Sequence, residues 1–273
     1  MIYKYIGNYR LNNIKSDPST SLNWIFLPGG PGMGSEYLID FVTKLKVPGN
    51  MIICDFPGDG SNRNVDQINY TLWKDGLLQL VKELQPCILV THSFSGMFAL
   101  TVPELENYIK GLVLISSVPN KGWMLELAHS AKHYNLPDVS SSLKEFYKNP
   151  IDENLKNIFY VTKEYLFLPH ETEEGNVILE ATPFNGKSRM WADLNFHSIY
   201  EYKWIPKTLP TLIIGSKDDR LLPSKLMEQQ KDFHRPNIEF LTLQNAGHFP
   251  WISEFKAIEK SIVHFIALQV ELA

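Results

Sequence analysis

Six short runs of strand-forming residues constrain this chain more than any other feature. They lie in NWIFLPGGPG (23–32), NMIICDFPG (50–58), CILV (87–90), IKGLVLISS (109–117), LPTLIIGS (209–216) and IEFLTL (238–243). Each is apolar at consecutive positions, so each is a strand buried on both faces. Stretches with apolar residues at helical spacing fall between them. SEYLIDFVTKL (35–45) places Leu38, Phe41, Val42 and Leu45 on one face. TLWKDGLLQLVKEL (71–84) predicts an amphipathic helix with Thr71 as its N-cap. Further helices are expected over 94–102, ending before Pro103, and over 223–234 and 253–268; residues 2–15 predict two short strands. Buried strands alternating with helices define an α/β fold, a mostly parallel central sheet with helices on both faces.

The rhythm breaks once. Residues 119–205 are aromatic-rich, helical in pattern and without a buried strand. We expect a core domain from 1–118 and 206–273, with 119–205 inserted as a cap. Ligands of such sheets bind beyond the carboxyl ends of the strands, where a cap of this kind would sit.

The net charge of −4 gives no basic excess for nucleic acid. No stretch approaches the 18 or so apolar residues of a membrane span, and MIYKYIGNYR has no leader-like pattern. The two cysteines, Cys54 and Cys87, both fall in or beside buried strands. They predict free thiols and a reducing, cytoplasmic setting. Oligomeric state is not legible here, because apolar residues of the cap suit a partner as well as a pocket.

Chemistry concentrates where strands end. In ILVTHSFSG, Ser93 stands at an abrupt strand-to-helix corner. Such a corner exposes Oγ and crowds the positions two before and two after, which must be small. Thr91 and Ser95 are small; Ser95 itself fails the same test, because Met97 occupies its +2 place. The plainer alternative is a serine N-cap. AGHFPW places His248 after the last strand, and IIGSKDDRLLP places Asp218 and Asp219 after the one before it. A serine needs a base such as imidazole to become nucleophilic near neutral pH, and the imidazole needs a buried carboxylate to fix its tautomer. Either aspartate satisfies that requirement; the alternative is a polar turn.

The glycine loop LPGGPGMG (27–34) supplies backbone amides that can approach a ligand closely. Pro31 has no N–H, so the useful donor is Gly30, paired with the amide of Phe94 as an oxyanion hole. A phosphate loop fits poorly. Gly34 is followed by Ser35-Glu36 rather than lysine, and Gly30-Pro31-Gly32 lacks the third glycine of a dinucleotide fingerprint. Asp55 does end the next strand where a ribose-binding acid would stand, but that reading leaves Ser93, Asp219 and His248 unexplained.

Taken together these segments resemble the α/β-hydrolase superfamily over nearly the whole chain except the cap. The order serine, acid, histidine is that family's order. LPGGPG is similar to its HGGPG loop, with Pro28 at the histidine place. CDFPGDGSN is similar to D-x-P-G-x-G-x-S, with Asn62 at the serine place. THSFSG resembles G-H-S-x-G-G with two glycines replaced, and AGHFPWISE resembles the histidine loop. Ungapped matching from Pro210 to Pro223 puts Asp219 at the acid's place, and we take Asp219 as the acid on that ground; counting from Gly215 instead selects Asp218.

The resemblance implies hydrolysis of a small or medium ester, or a related amide, through an acyl-enzyme on Ser93, with His248 as base. It implies no cofactor and no metal. The serine argues against the aspartate-nucleophile dehalogenases and epoxide hydrolases. The GGPG loop is similar to that of proline iminopeptidases, which hold a substrate amine with acidic cap residues, and HETEEGN offers Glu171, Glu173 and Glu174. Trp123, Trp191, Phe184 and Trp204 suit either an apolar pocket or simple cap core. A non-catalytic ligand receptor on the same fold is a further alternative, disfavoured because all three residues of the serine-acid-histidine set are present.

Overall fold

A computed structural model describes residues 4–269. Ile2 and Tyr3 of the expected first strand lie outside the described residues. The strands are β1 (Lys4–Ile6), β2 (Tyr9–Lys15), β3 (Asn23–Leu27), β4 (Asn50–Asp55), β5 (Cys87–His92), β6 (Gly111–Ile115), β7 (Thr211–Ser216) and β8 (Ile238–Leu243). They form one sheet in the order β1-β2-β4-β3-β5-β6-β7-β8. The β1–β2 and β2–β4 pairs are antiparallel and the rest are parallel.

Side chains alternate between the two faces of this sheet with the strand period of two. Ile25, Leu27 and Leu89 enter one core with Trp73, Leu77, Phe94 and Phe98. Trp24, Phe26, Ile88 and Val90 enter the other with Phe41, Val42, Ile258 and Phe265. The helices Tyr70–Glu83 and Phe94–Ala99 thus cover one face, and Ile39–Lys44 and Trp251–Gln269 the other. That two-sided burial is why the strands read as unbroken apolar runs.

The parallel register brings the strand ends together. Leu27 pairs Thr91, His92 pairs Ile115, Ile115 pairs Ile214, and Ser216 pairs Leu243. The loops after β3, β5, β7 and β8 therefore emerge side by side on one edge.

Three local expectations are corrected. The helix begins at Tyr70, and its cap is Asn69, whose side chain accepts from the Leu72 amide at 2.8 Å, rather than Thr71. The helix after Ser93 ends at Ala99, where the chain tightens into i→i−3 bonds from Thr101 and Val102. The helix expected over 223–234 is only Lys225–Glu228 plus a 3₁₀ turn at Lys231–Phe233. Its buried anchors Met227 and Phe233 are six residues apart, which places them on different faces of any continuous helix. Cys54 and Cys87 are free and buried.

Between β6 and β7 the chain makes six helices: Trp123–His133, Ser140–Lys148, Asp152–Val161, Lys163–Leu166, Thr172–Ala181 and Gly186–Asn195. No helix of the described residues is long and apolar enough to cross a membrane.

Candidate active site

Ser93 sits between the last residue of β5 and the first of the next helix with φ 55° and ψ −117°. A non-glycine residue reaches that region only when its surroundings force it, at a cost of about 1–3 kcal/mol. Here the Ser93 amide donates to the Ile115 carbonyl at 2.8 Å, and Ser117 Oγ donates to the Ser93 carbonyl at 2.9 Å. The serine makes no side-chain cap bond to its helix, so its hydroxyl is not consumed as an N-cap.

The crowded neighbours explain themselves. Thr91 Oγ1 donates to the Val113 carbonyl at 3.1 Å, and Ser95 Oγ lies 3.0 Å from the Leu27 carbonyl. Hydroxyls at −2 and +2 are thus absorbed by backbone. The intolerant position is Gly96, where an added Cβ would stand 2.0 Å from Ser117 Oγ.

His248 Nε2 lies 2.9 Å from Ser93 Oγ, and its Nδ1 lies 2.8 Å from Asp219 Oδ2. A carboxylate facing Nδ1 keeps the proton there and leaves Nε2 to accept from the serine. All three side chains are buried. Asp219 Oδ1 accepts from the amides of Leu221 and Leu222, each at 2.9 Å. Asp218 points elsewhere: its Oδ2 accepts from the Asn245 amide at 2.8 Å. Of the two aspartates, only Asp219 meets the imidazole.

Several residues that hold this arrangement carry no sequence signal of that role. The His248 amide donates to the Leu166 carbonyl at 2.8 Å, and its carbonyl accepts from His92 Nε2 at 2.9 Å. That bond puts the His92 proton on Nε2, so Nδ1 accepts from Tyr37 OH at 2.7 Å, which itself accepts from the Gly29 amide at 2.6 Å. Burial, with His248 adding to it, holds His92 well below the usual imidazole range and therefore neutral. The glycine loop and the histidine loop are thereby tied through one neutral ring.

Glu171 is fully buried. Its Oε2 accepts from the amides of Leu168 at 2.8 Å and Gly247 at 3.0 Å, and its Oε1 accepts from Ser253 Oγ at 2.5 Å. It fastens the helical insertion to the loop that carries His248. Glu173 and Glu174 are exposed in the first turn of the helix Thr172–Ala181. None of the three glutamates lines the cavity at Ser93.

Gly30 has φ +115° and Gly32 φ +103°, backbone that favours glycine. The Gly32 amide donates to Asp59 Oδ1 at 3.0 Å, as do the Gly60 amide at 2.8 Å and Ser188 Oγ at 2.5 Å. Asp59 thus joins the glycine loop to the insertion. Burial pushes its carboxyl up to about 7, against the opposing pull of those three donors. The Gly30 amide has no acceptor among the described residues, and that of Phe94, at the start of a helix, has no intrahelical one.

Gly30, Ser93 and Phe94 all open on a cavity of about 340 Å³. Its walls are mainly apolar: Met97, Trp123, Leu127, Leu143, Phe159 and Leu222 among others. Trp204 does not reach it, donating instead to the Ala99 carbonyl at 2.8 Å. Trp191 packs on Trp73 with ring centroids 4.7 Å apart, and Phe184 on Phe159 at 5.1 Å. Of the four aromatics singled out, only Trp123 lines the cavity.

A family model described as the alpha/beta hydrolase family matches residues 24–259. The chain belongs to that family. It is 24% identical over 248 residues to a pimeloyl-[acyl-carrier protein] methyl ester esterase of Xylella fastidiosa (strain M23), covering 87% of this chain and 92% of the relative. The structure resembles a thermophilic esterase from Thermogutta terrifontis with TM-score 0.75 and 16% identity, over 99% of this chain and 100% of that one. It also resembles a proline iminopeptidase-related protein from Thermus thermophilus, with TM-score 0.72 and 19% identity, over 98% and 97% of the two chains. At these identities the likeness to solved structures speaks to the fold.

Proposed function

We propose that this chain is a serine hydrolase that cleaves a carboxylic ester of small or medium size through an acyl-enzyme. The observation that carries the reading is the unbroken hydrogen-bonded chain from Asp219 through His248 to Ser93 Oγ, opening on an apolar cavity. The Xylella fastidiosa relative is an esterase by name, which agrees with it. The glutamates of the insertion lie away from the cavity, which favours ester over amino-terminal peptide substrates.

In this mechanism Ser93 Oγ attacks the carbonyl carbon while its proton passes to His248 Nε2. Asp219 steadies the imidazolium, and the amides of Gly30 and Phe94 hold the oxyanion. The carbon–oxygen bond to the alcohol breaks as His248 returns the proton to the departing oxygen. Water then gives its proton to His248 and its hydroxide to the acyl carbon. Collapse frees the carboxylic acid and restores the serine hydroxyl. Residues 119–205 act as the cap over this edge, and the two buried free thiols suit a cytoplasmic setting.

Turnover of p-nitrophenyl butyrate tests the reading. Wild type hydrolyses it and Ser93→Ala does not. Equal inactivity of both across a panel of acyl lengths, with well-folded protein, refutes it in favour of a ligand-binding role.

A further inference from the structure

The cavity wall at Ser93 contains one charged side chain, Arg189, which also lines the smaller space beside Gly29, Gly30 and His248. Arg189 therefore lies beside the reacting end of the cavity rather than at its apolar far end. Its Nε donates to both oxygens of Asp193, at 2.9 and 3.0 Å. Asp193 also meets His197 Nδ1 at 2.8 Å and Tyr147 OH at 3.1 Å. Burial pushes the Asp193 carboxyl up, but Arg189 and His197 hold it well below the usual carboxylate range, so it is a fixed anion. That anion anchors Arg189 through Nε alone. No acceptor among the described residues takes a hydrogen from either Nη.

Of the other polar groups of the wall, Thr162 Oγ1 donates to the Ile158 carbonyl, Tyr165 OH donates to the Pro137 carbonyl, and His197 meets Asp193 through Nδ1. A guanidinium fork with both Nη groups free matches the two oxygens of a carboxylate.

We infer that Arg189 selects esters that carry a carboxylate a few bonds from the scissile carbonyl, with the rest of the substrate in the apolar cavity. The inference rests on the ester-hydrolase reading and narrows its substrate class.

The test compares p-nitrophenyl hydrogen glutarate with p-nitrophenyl valerate, which lacks the carboxylate, on wild type and Arg189→Met. Wild type prefers the anionic ester, and Arg189→Met lowers the ratio of the two kcat/KM values by about 10-fold or more, the scale of one charge-assisted hydrogen bond. Arg189→Lys recovers part of the ratio. Butyryl glycolate against propyl butyrate places the carboxylate on the alcohol instead, and distinguishes the two sides of the ester. Ratios unchanged by Arg189→Met on both sides overturn the inference.

A binding arm needs neither turnover nor the Arg189 variants. Tryptophan fluorescence of Ser93→Ala is titrated with monomethyl glutarate and with methyl valerate. The anion binds at least about 10-fold tighter if the inference holds, and equal affinity overturns it. If wild type cleaves neither ester but the anion still binds selectively, the hydrolase reading fails and the anion site stands. If valerate is cleaved without anion selectivity, the anion site alone fails.

Discussion

Replacing Glu171 probes whether the helical insertion sets the position of His248. Its carboxylate accepts from two buried amides, Leu168 and Gly247, and from Ser253 Oγ. Glu171→Ala strands both amides away from water. At about 1–3 kcal/mol for each unsatisfied buried donor, the loss is roughly 2–6 kcal/mol. Glu171→Gln keeps one oxygen for the two amides and turns its NH₂ toward Ser253, whose hydroxyl can rotate to accept. It therefore loses only charge assistance, about 1 kcal/mol. Gly247 directly precedes His248, so relaxation of that amide shifts the imidazole relative to Ser93. Shifts of that kind reduce kcat more than KM, by about 10-fold or more. Urea unfolding and p-nitrophenyl butyrate kinetics are measured on all three proteins. Glu171→Ala within about 0.5 kcal/mol of wild type, with kcat unchanged, refutes the reasoning; so does Glu171→Gln as damaging as Ala.

Three further outcomes are expected. Gly96→Ala forces a methyl against Ser117 Oγ, which is itself bonded to the Ser93 carbonyl; it destabilises by about 1–3 kcal/mol and lowers activity, and Ser117→Gly restores part of both. Asp59 has an ordinary carboxyl value of 3.8 unfolded and about 7 folded, so the folded state holds the proton more tightly between those limits. Its contribution is full below about pH 4 and declines by up to about 4 kcal/mol as pH rises to 7; urea midpoints at pH 4.5 and 7.5 should differ less in Asp59→Asn than in wild type, and equal differences contradict the assignment. Asp219→Asn lowers kcat by about 10⁴-fold through loss of the imidazole's orientation, while Asp218→Asn, whose carboxylate meets only the Asn245 amide, stays within a few-fold; esterase assays of the pair decide between them.

The parts of this molecule legible in its sequence are those where local pattern and global burial agree. β8 occupies Ile238–Leu243, the limits its apolar run suggests, and the parallel order follows from strands apolar on both faces. Ser93, Gly30 and His248 stand out because an abrupt corner, a glycine loop and a strand end leave local traces. The choice between Asp218 and Asp219 depends on how the turn after β7 directs adjacent side chains, which composition does not encode. Glu171 illustrates the harder case. It stands in a run of acids that looks solvated, yet its partner Gly247 lies 76 residues away and turns it into a buried tie. Asp59 meets Ser188 across 129 residues, and Arg189 looks like any helical surface cation until the helix Gly186–Asn195 is seen to face the cavity. Long-range polar contacts of this kind have no periodicity to betray them.

Covalent capture of Ser93, the proposed nucleophile, tests the central claim most directly. Wild type is incubated with a fluorophosphonate, and intact and peptide mass spectra are recorded. One adduct per chain, located on Ser93 and strongly slowed by His248→Ala, is the predicted result. An unmodified Ser93 in folded wild type, or label carried by another residue, contradicts it.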